Sequence, residues 1–300
     1  MRLEGMQGRL PAWLAVFTIF PAVLVAGQVR ADITEEGRYL TAAAGCQSCH
    51  TDPATKDAPF AGGRAMKTPF GVFYTPNITP DSEQGIGGWS RDDFIRAVKT
   101  GVSPEGQHYF PAFPYTSYTR MTDEDAGKIF AYLQSLPAND RPNRDHEIAA
   151  PFSWRFLQAG WKLLFFDEGG DDQALPTDPV LARGAYLTNA LGHCGECHTP
   201  RNGLGGIDDS LFMAGAIGGG EGELVPNITP DPATGIGDWT KGDLASFLET
   251  GMKPNFDDVQ GTMGDVITYS TSHLSLEDRE AMAAYLLSLP AIINKIEKPK

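Results

Sequence analysis

The chain has 300 residues, with 24 Lys plus Arg against 38 Asp plus Glu, a formal net charge of −14 and a pI near 4.8. That acidity excludes a general nucleic-acid binder, because a phosphate backbone selects surfaces rich in Lys and Arg. With 41% hydrophobic and 21% charged residues the chain is neither disordered nor a polytopic membrane protein, and its length admits one or two domains that each bury an ordinary core.

At the start of the chain, Arg2 and Arg9 precede an apolar run from Leu10 to Gly27, and Val29-Arg30-Ala31 offers small residues where a signal peptidase cuts. The pattern predicts a cleaved export signal over residues 1–31 and a periplasmic destination in a Gram-negative host. Cleavage would leave 21 basic against 37 acidic side chains, a net of −16. No later stretch of the sequence is long and apolar enough to span a bilayer.

The remainder is written twice. Gly45-Cys46-Gln47-Ser48-Cys49-His50, Asn77-Ile78-Thr79-Pro80-Asp81, Gly85-Ile86-Gly87 with Trp89, and Ala131-Tyr132-Leu133 form the first set of words. Cys194-Gly195-Glu196-Cys197-His198, Asn227-Ile228-Thr229-Pro230-Asp231, Gly235-Ile236-Gly237 with Trp239, and Ala284-Tyr285-Leu286 form the second. An internal duplication of this length predicts two domains, 32–140 and 178–300, joined by a linker over 141–177.

Within each copy, helical spacing over Glu35 to Ala44 and Asp178 to Ala190 runs straight into the cysteine motif. Arg91 to Thr100 and Lys241 to Thr250 read as shorter helices ended by glycine. Thr122-Asp123-Glu124-Asp125 and Ser275-Leu276-Glu277-Asp278 read as caps of last helices that stop at Pro137 and Pro290. The Gly- and Pro-rich stretches between show no strand alternation, so the expected class is all-α and loop-rich, with small cores that need a further group to fill them. In the linker, Pro151-Phe152-Ser153-Trp154-Arg155-Phe156-Leu157 and Trp161-Lys162-Leu163-Leu164-Phe165-Phe166 predict an aromatic helix packed between the domains; left exposed, it would be an interface patch.

The chemistry lies in Cys-x-x-Cys-His, which occurs twice and uses every cysteine in the chain. A thioredoxin-like pair gives the histidine no role, and a zinc site needs four ligands where each copy offers three. Covalent haem c fits instead: cysteines at i and i+3 share one face of a helical turn and form thioethers, and the next residue turns its imidazole to the iron. Cys46, Cys49, Cys194 and Cys197 are thus the expected attachment points of two haem c groups, and His50 and His198 the proximal ligands.

A methionine as sixth ligand suits an electron carrier. In the second copy the candidate is Met263, in a Gly261-Thr262-Met263-Gly264 loop; Met252 fits less well and Met213 is more remote. In the first copy Met121, at the staple position before the Thr122 cap, and His108, which would give a bis-histidine site, stand level on the residues alone.

With these motifs, the paired Asn-Ile-Thr-Pro-Asp and Gly-Ile-Gly-x-Trp words and the run Phe110-Pro111-Ala112-Phe113-Pro114-Tyr115-Thr116-Ser117-Tyr118, the sequence resembles the exported diheme cytochromes c built from two class I-type domains. It is also similar to the cytochrome c subunits of bacterial alcohol and gluconate dehydrogenases, which carry three haems and usually have Met where Phe113 stands. The resemblance to two-haem relatives, where Phe at that place accompanies a methionine at position 121, implies Met121 as the ligand of the first haem. Arg201 is a candidate contact of a haem propionate.

The function expected from motifs and resemblance together is one-electron transfer without substrate binding, from a donor dehydrogenase, by resemblance a quinoprotein oxidising an alcohol, to a terminal oxidase or small cytochrome. The acidic surface predicts weak, salt-sensitive docking. A diheme peroxidase, which needs an open iron, and a subunit fixed in a dehydrogenase complex are the alternatives.

Overall fold

The computed structural model describes residues 33–55, 58–169, 175–219 and 223–297. The expected export signal lies outside the described residues. The two sets of repeated words fold into matching successions of helices. In the first, a helix over 33–43 (α1) leads into α2 (Cys46–Cys49), followed by α3 (Arg91–Thr100), α4 (Tyr115–Tyr118) and α5 (Asp123–Leu133). After the linker helix α6 (Leu157–Phe165), the second runs α7 (Pro179–Ala185), a π-helical turn Tyr186–Leu191, α8 (Gly195–His198), α9 (Lys241–Thr250), α10 (Gly261–Tyr269) and α11 (Leu276–Ser288). Among the described residues no helix is long and apolar enough to cross a membrane.

The helix ends follow from local chemistry. Ser90 and Thr240 each accept the N–H of the Asp three residues on, whose carboxylate in turn accepts the cap's own N–H; the helices α3 and α9 then end at Gly101 and Gly251 in the left-handed region. Thr122 and Ser275 cap α5 and α11, and Asp178 caps α7 with Pro179 in its first turn. In each half the first and last helices cross in close contact at a glycine: a β-carbon on Gly37 would lie 2.2 Å from the Lys128 carbonyl oxygen, and one on Gly184 2.0 Å from that of Ala281.

Three features depart from the sequence expectation. Although helices carry the core, the class is not wholly α. The strands β1 (Ala65–Thr68) and β2 (Gly71–Tyr74) make a hairpin joined at its edge by β3 (Glu147–Ile148), and β4 (Ala216–Gly219) pairs with β5 (Glu223–Val225). These strands of two to four residues are too short to display an alternating pattern. Second, the stretch read as a loop around Met263 is helix α10; Gln260 gives it no side-chain cap and its glycines mask it, so packing rather than propensity holds it. Third, α6 packs between the halves as expected, yet its outer face is apolar: Leu163 and Leu164 are 89% and 71% exposed, while Gln158 and Lys162 are buried.

The main core does not divide between the halves. One cluster joins Leu40, Ala43 and Ala44 of the first half to Leu187, Leu191, Leu274 and Met282 of the second. Polar exchanges frame it in near-symmetric pairs. Tyr39 donates its hydroxyl to Asp278 (2.6 Å) and accepts the Ser275 N–H (3.0 Å), both at the cap of α11. Tyr186 does the same at the cap of α5, donating to Asp125 (2.5 Å) and accepting from Thr122 (3.3 Å).

Candidate haem-attachment site

Each Cys-x-x-Cys-His sequence closes one short helical turn, in which the N–H of His50 donates to the Cys46 carbonyl and that of His198 to the Cys194 carbonyl, both at 2.9 Å. This puts the two cysteines of each pair on one side of the turn. None of the four cysteines is in a disulfide, and all are partly accessible. Burial, with a contribution from the neighbouring cysteine, pushes Cys46 and Cys194 up to about 12, so they are thiols rather than reactive thiolates at neutral pH. Among the described residues no cluster of three or more His, Cys, Asp or Glu is arranged to hold a bare metal ion.

The two histidines are held alike. His50 Nδ1 lies 2.7 Å from the Pro76 carbonyl and His198 Nδ1 2.8 Å from that of Pro226. A carbonyl only accepts, so Nδ1 carries the proton and donates, and Nε2 is left with its lone pair. Burial pulls both imidazoles below their ordinary range, opposed by the carbonyl contact, and both are neutral at pH 7.

Pro76 and Pro226 are fixed by the repeated word that follows each. The Asn77 side chain donates to the Asn139 and Arg141 carbonyls and accepts from the N–H and hydroxyl of Thr79. Asn227 donates to the Ile292 carbonyl and to Thr234, and accepts from Thr229 in the same way. Pro76 and Pro226 thus orient the histidines, a role that sequence reasoning did not assign to them. Their signal was present as the longer repeat Pro-Asn-Ile-Thr-Pro-Asp.

The residues weighed as further iron ligands are dispersed. Met121 is 3% exposed in the central cluster, against which Cys46 also packs, and its counterpart before the α11 cap, Leu274, sits in the same cluster. His108 is engaged elsewhere: its Nδ1 lies 3.1 Å from Lys162 Nζ, which also donates to the Thr100 and Gly101 carbonyls. Met213 is fully buried at φ +60, its N–H on Thr199 Oγ1, in the place where the first half has Phe60 on Thr51. Met252 is exposed. Met263 lies two residues before Asp265, which pairs with Arg64 at 2.7 Å; that arginine also donates to the Ser48 carbonyl inside the first motif. Arg201 is taken by the carboxylate of Glu196 and the Gly205 carbonyl. Glu196, between the cysteines of the second motif, also accepts from Thr116 and Ser117 of the first half at 2.5 and 2.8 Å.

The chain is similar to known proteins. Residues 34–137 match the family model for cytochrome c. Over 261 residues the chain is 45% identical to a diheme cytochrome c-type protein of Cereibacter sphaeroides, a match that covers 85% of this chain and 86% of the relative. The chain belongs to the cytochrome c family.

The cytochrome is also 38% identical to the gluconate 2-dehydrogenase cytochrome c subunit of Pantoea cypripedii, and 35% identical to the cytochrome c subunit of a quinone-type alcohol dehydrogenase of Gluconacetobacter polyoxogenes. Each match covers 93% of the cytochrome but only 64% and 61% of those subunits, so the chain spans a little under two thirds of their length. Membership makes it an electron-transfer protein of covalently bound haem c. The residues fit that group: paired thiols on one face of a turn, and a following imidazole that is neutral, oriented by a backbone carbonyl and left with its lone pair at Nε2.

Proposed function

We propose that this cytochrome carries two haem c groups, one in each of two domains over 32–140 and 178–300, and passes single electrons through the periplasm from a donor dehydrogenase to an oxidase or small cytochrome. The observation that carries the reading is the pair of imidazoles held on proline carbonyls at 2.7 and 2.8 Å, each directly after a cysteine pair. The haem iron supplies a one-electron ferrous–ferric couple. Cys46, Cys49, Cys194 and Cys197 attach the groups, and His50 and His198 ligate through Nε2.

Met121 and Met263 complete the iron sites. Burial of Met121 in the cluster shared with Cys46, and the commitment of His108 to Lys162, favour the methionine in the first domain. Met263 is assigned to the second domain because it stands in that copy of the repeat, ahead of the α11 cap. Two thioether ligands would close both irons to exogenous molecules, as carrier function requires. The donor and acceptor classes rest on the relatives, among them subunits named for gluconate and alcohol dehydrogenases.

The test is an alkaline pyridine haemochrome with near-infrared magnetic circular dichroism of the ferric protein. Two haems per chain and two methionine charge-transfer bands are expected, one lost in Met121→Ala and both kept in His108→Ala. A bis-histidine signature that vanishes in His108→Ala would move the ligand; a high-spin haem that binds carbon monoxide when reduced would contradict the sealed carrier.

A further inference from the structure

One half-buried imidazole has no part in the reading above. His193 stands directly before Cys194, at φ +40, as Gly45 stands directly before Cys46 at φ +64. The two residues face each other: a β-carbon on Gly45 would lie 3.8 Å from His193 Nε2. A side chain here therefore occupies the space that the first motif leaves open by having glycine.

The contact is built, not incidental. The His193 ring meets the Tyr118 ring edge to face, with centroids 5.4 Å apart at 81°, and Tyr118 donates its hydroxyl to the Ala44 carbonyl at 2.6 Å. Cys46 and Cys194 both pack against the one cluster that surrounds this point. A bulky residue at a positive φ is itself uncommon and persists where its surroundings fix it.

Resting on the two-haem reading, we infer that His193 is the bridge by which an electron crosses between the two haem sites. From Cys194 the route runs along bonded backbone to His193, across the ring contact to Tyr118, over the Tyr118 hydroxyl's hydrogen bond to the Ala44 carbonyl, and along bonded backbone to Cys46. The step balances by itself. One electron leaves a ferrous iron, which becomes ferric, and reduces the other from ferric to ferrous; no bond forms or breaks, and no proton or co-reactant is needed. Burial keeps the imidazole neutral, so it adds no charge between the two sites. Because His193 acts through the attachment residues and does not touch the iron, it is a positioning residue.

The test uses the intact holoprotein. Haem content is measured by pyridine haemochrome and both midpoint potentials by titration; flash photoreduction then follows equilibration of one electron between the two haems. His193→Leu is expected to slow equilibration about tenfold with both potentials and the haem count unchanged, and His193→Phe, which keeps a ring against Tyr118, to recover most of the rate. Should the leucine variant fail to assemble, His193→Asn takes its place, since asparagine accepts the left-handed backbone but is shorter; it is expected to be slow as well. Two haems with a rate unchanged from wild type would overturn the bridge alone. A chain holding a single haem would overturn the bridge together with the reading beneath it.

Discussion

Asn77 and Asn227 show how a single side chain sets the chemistry of a neighbour it never touches. Each ties down the loop that presents a proline carbonyl to the histidine of its motif, using its amide in both directions. Asn77→Ala is expected to destabilise the protein by about 2 kcal/mol, because it leaves several buried groups without partners. It should also shift the reduction potential of the first haem more than that of the second; thermal melting and redox titration check the two effects separately. Lys162 makes a prediction about pH. Burial draws it from the ordinary lysine range down to about 8. Between pH 8 and the unfolded value near 10.5 the unfolded chain therefore binds more protons, and the stability contributed by this group rises with pH. Below pH 8 both states are charged and the slope vanishes. Wild type should thus gain on Lys162→Met as pH rises from 8 to 10, measured by chemical denaturation. At this scale the sequence is most legible where structure is local: each Cys-x-x-Cys-His word closes its own helical turn. Pro76 and Pro226 were not seen because their contribution is a backbone carbonyl, and any residue has one. The pairing of His108 with Lys162 was hidden for another reason, since 54 residues separate the two.

Among the elements, the crossing of first and last helices admits no side chain at its centre. Gly37→Ala or Gly184→Ala would press a methyl onto a carbonyl at about 2 Å, far inside contact distance. Each is expected to cost about 2 kcal/mol or more, seen as a lower thermal midpoint. The cap Thr240 bonds only its own helix terminus, so Thr240→Ala should cost about 1 kcal/mol. Helices with caps and glycine stops, α3 and α9, were legible to the residue, and α5 and α11 nearly so. Helix α10 and the two hairpins were not, because their stability lies in contacts with distant segments, such as Arg64 on Asp265, rather than in their own sequence. The expected helix into the second motif exists, but its last turn widens to π geometry over Tyr186–Leu191. In α6 the apolar face was legible and its direction was not. Leu163 and Leu164 face outward, so Leu163→Ser with Leu164→Ser is expected to change stability by less than about 0.5 kcal/mol while shortening retention on a hydrophobic column.

For the whole molecule, a net charge of −14 governs encounters. Reduction by cationic hexaammineruthenium should outpace reduction by anionic ferrocyanide at equal driving force, and that preference should shrink as ionic strength rises. A preference independent of salt would refute charge steering. The duplication in the sequence pointed to two units, but not to the way their words interlock. Tyr39 clasps the α11 cap, Tyr186 clasps the α5 cap, and Thr116 and Ser117 hold Glu196 inside the opposite motif. These exchanges have a consequence for maturation. Cys46 and Cys194 are partly accessible but pack against a core built from both halves, so on the two-haem proposal a ligating enzyme reaches the thiols more readily while the halves are apart. Attachment before closure is the order this favours, and the protein's own assembly would then act as a check that both ligations have been made. A chain carrying Cys194→Ala with Cys197→Ala should accordingly keep its interface open, and limited proteolysis should cut it within the linker, where the mature protein resists.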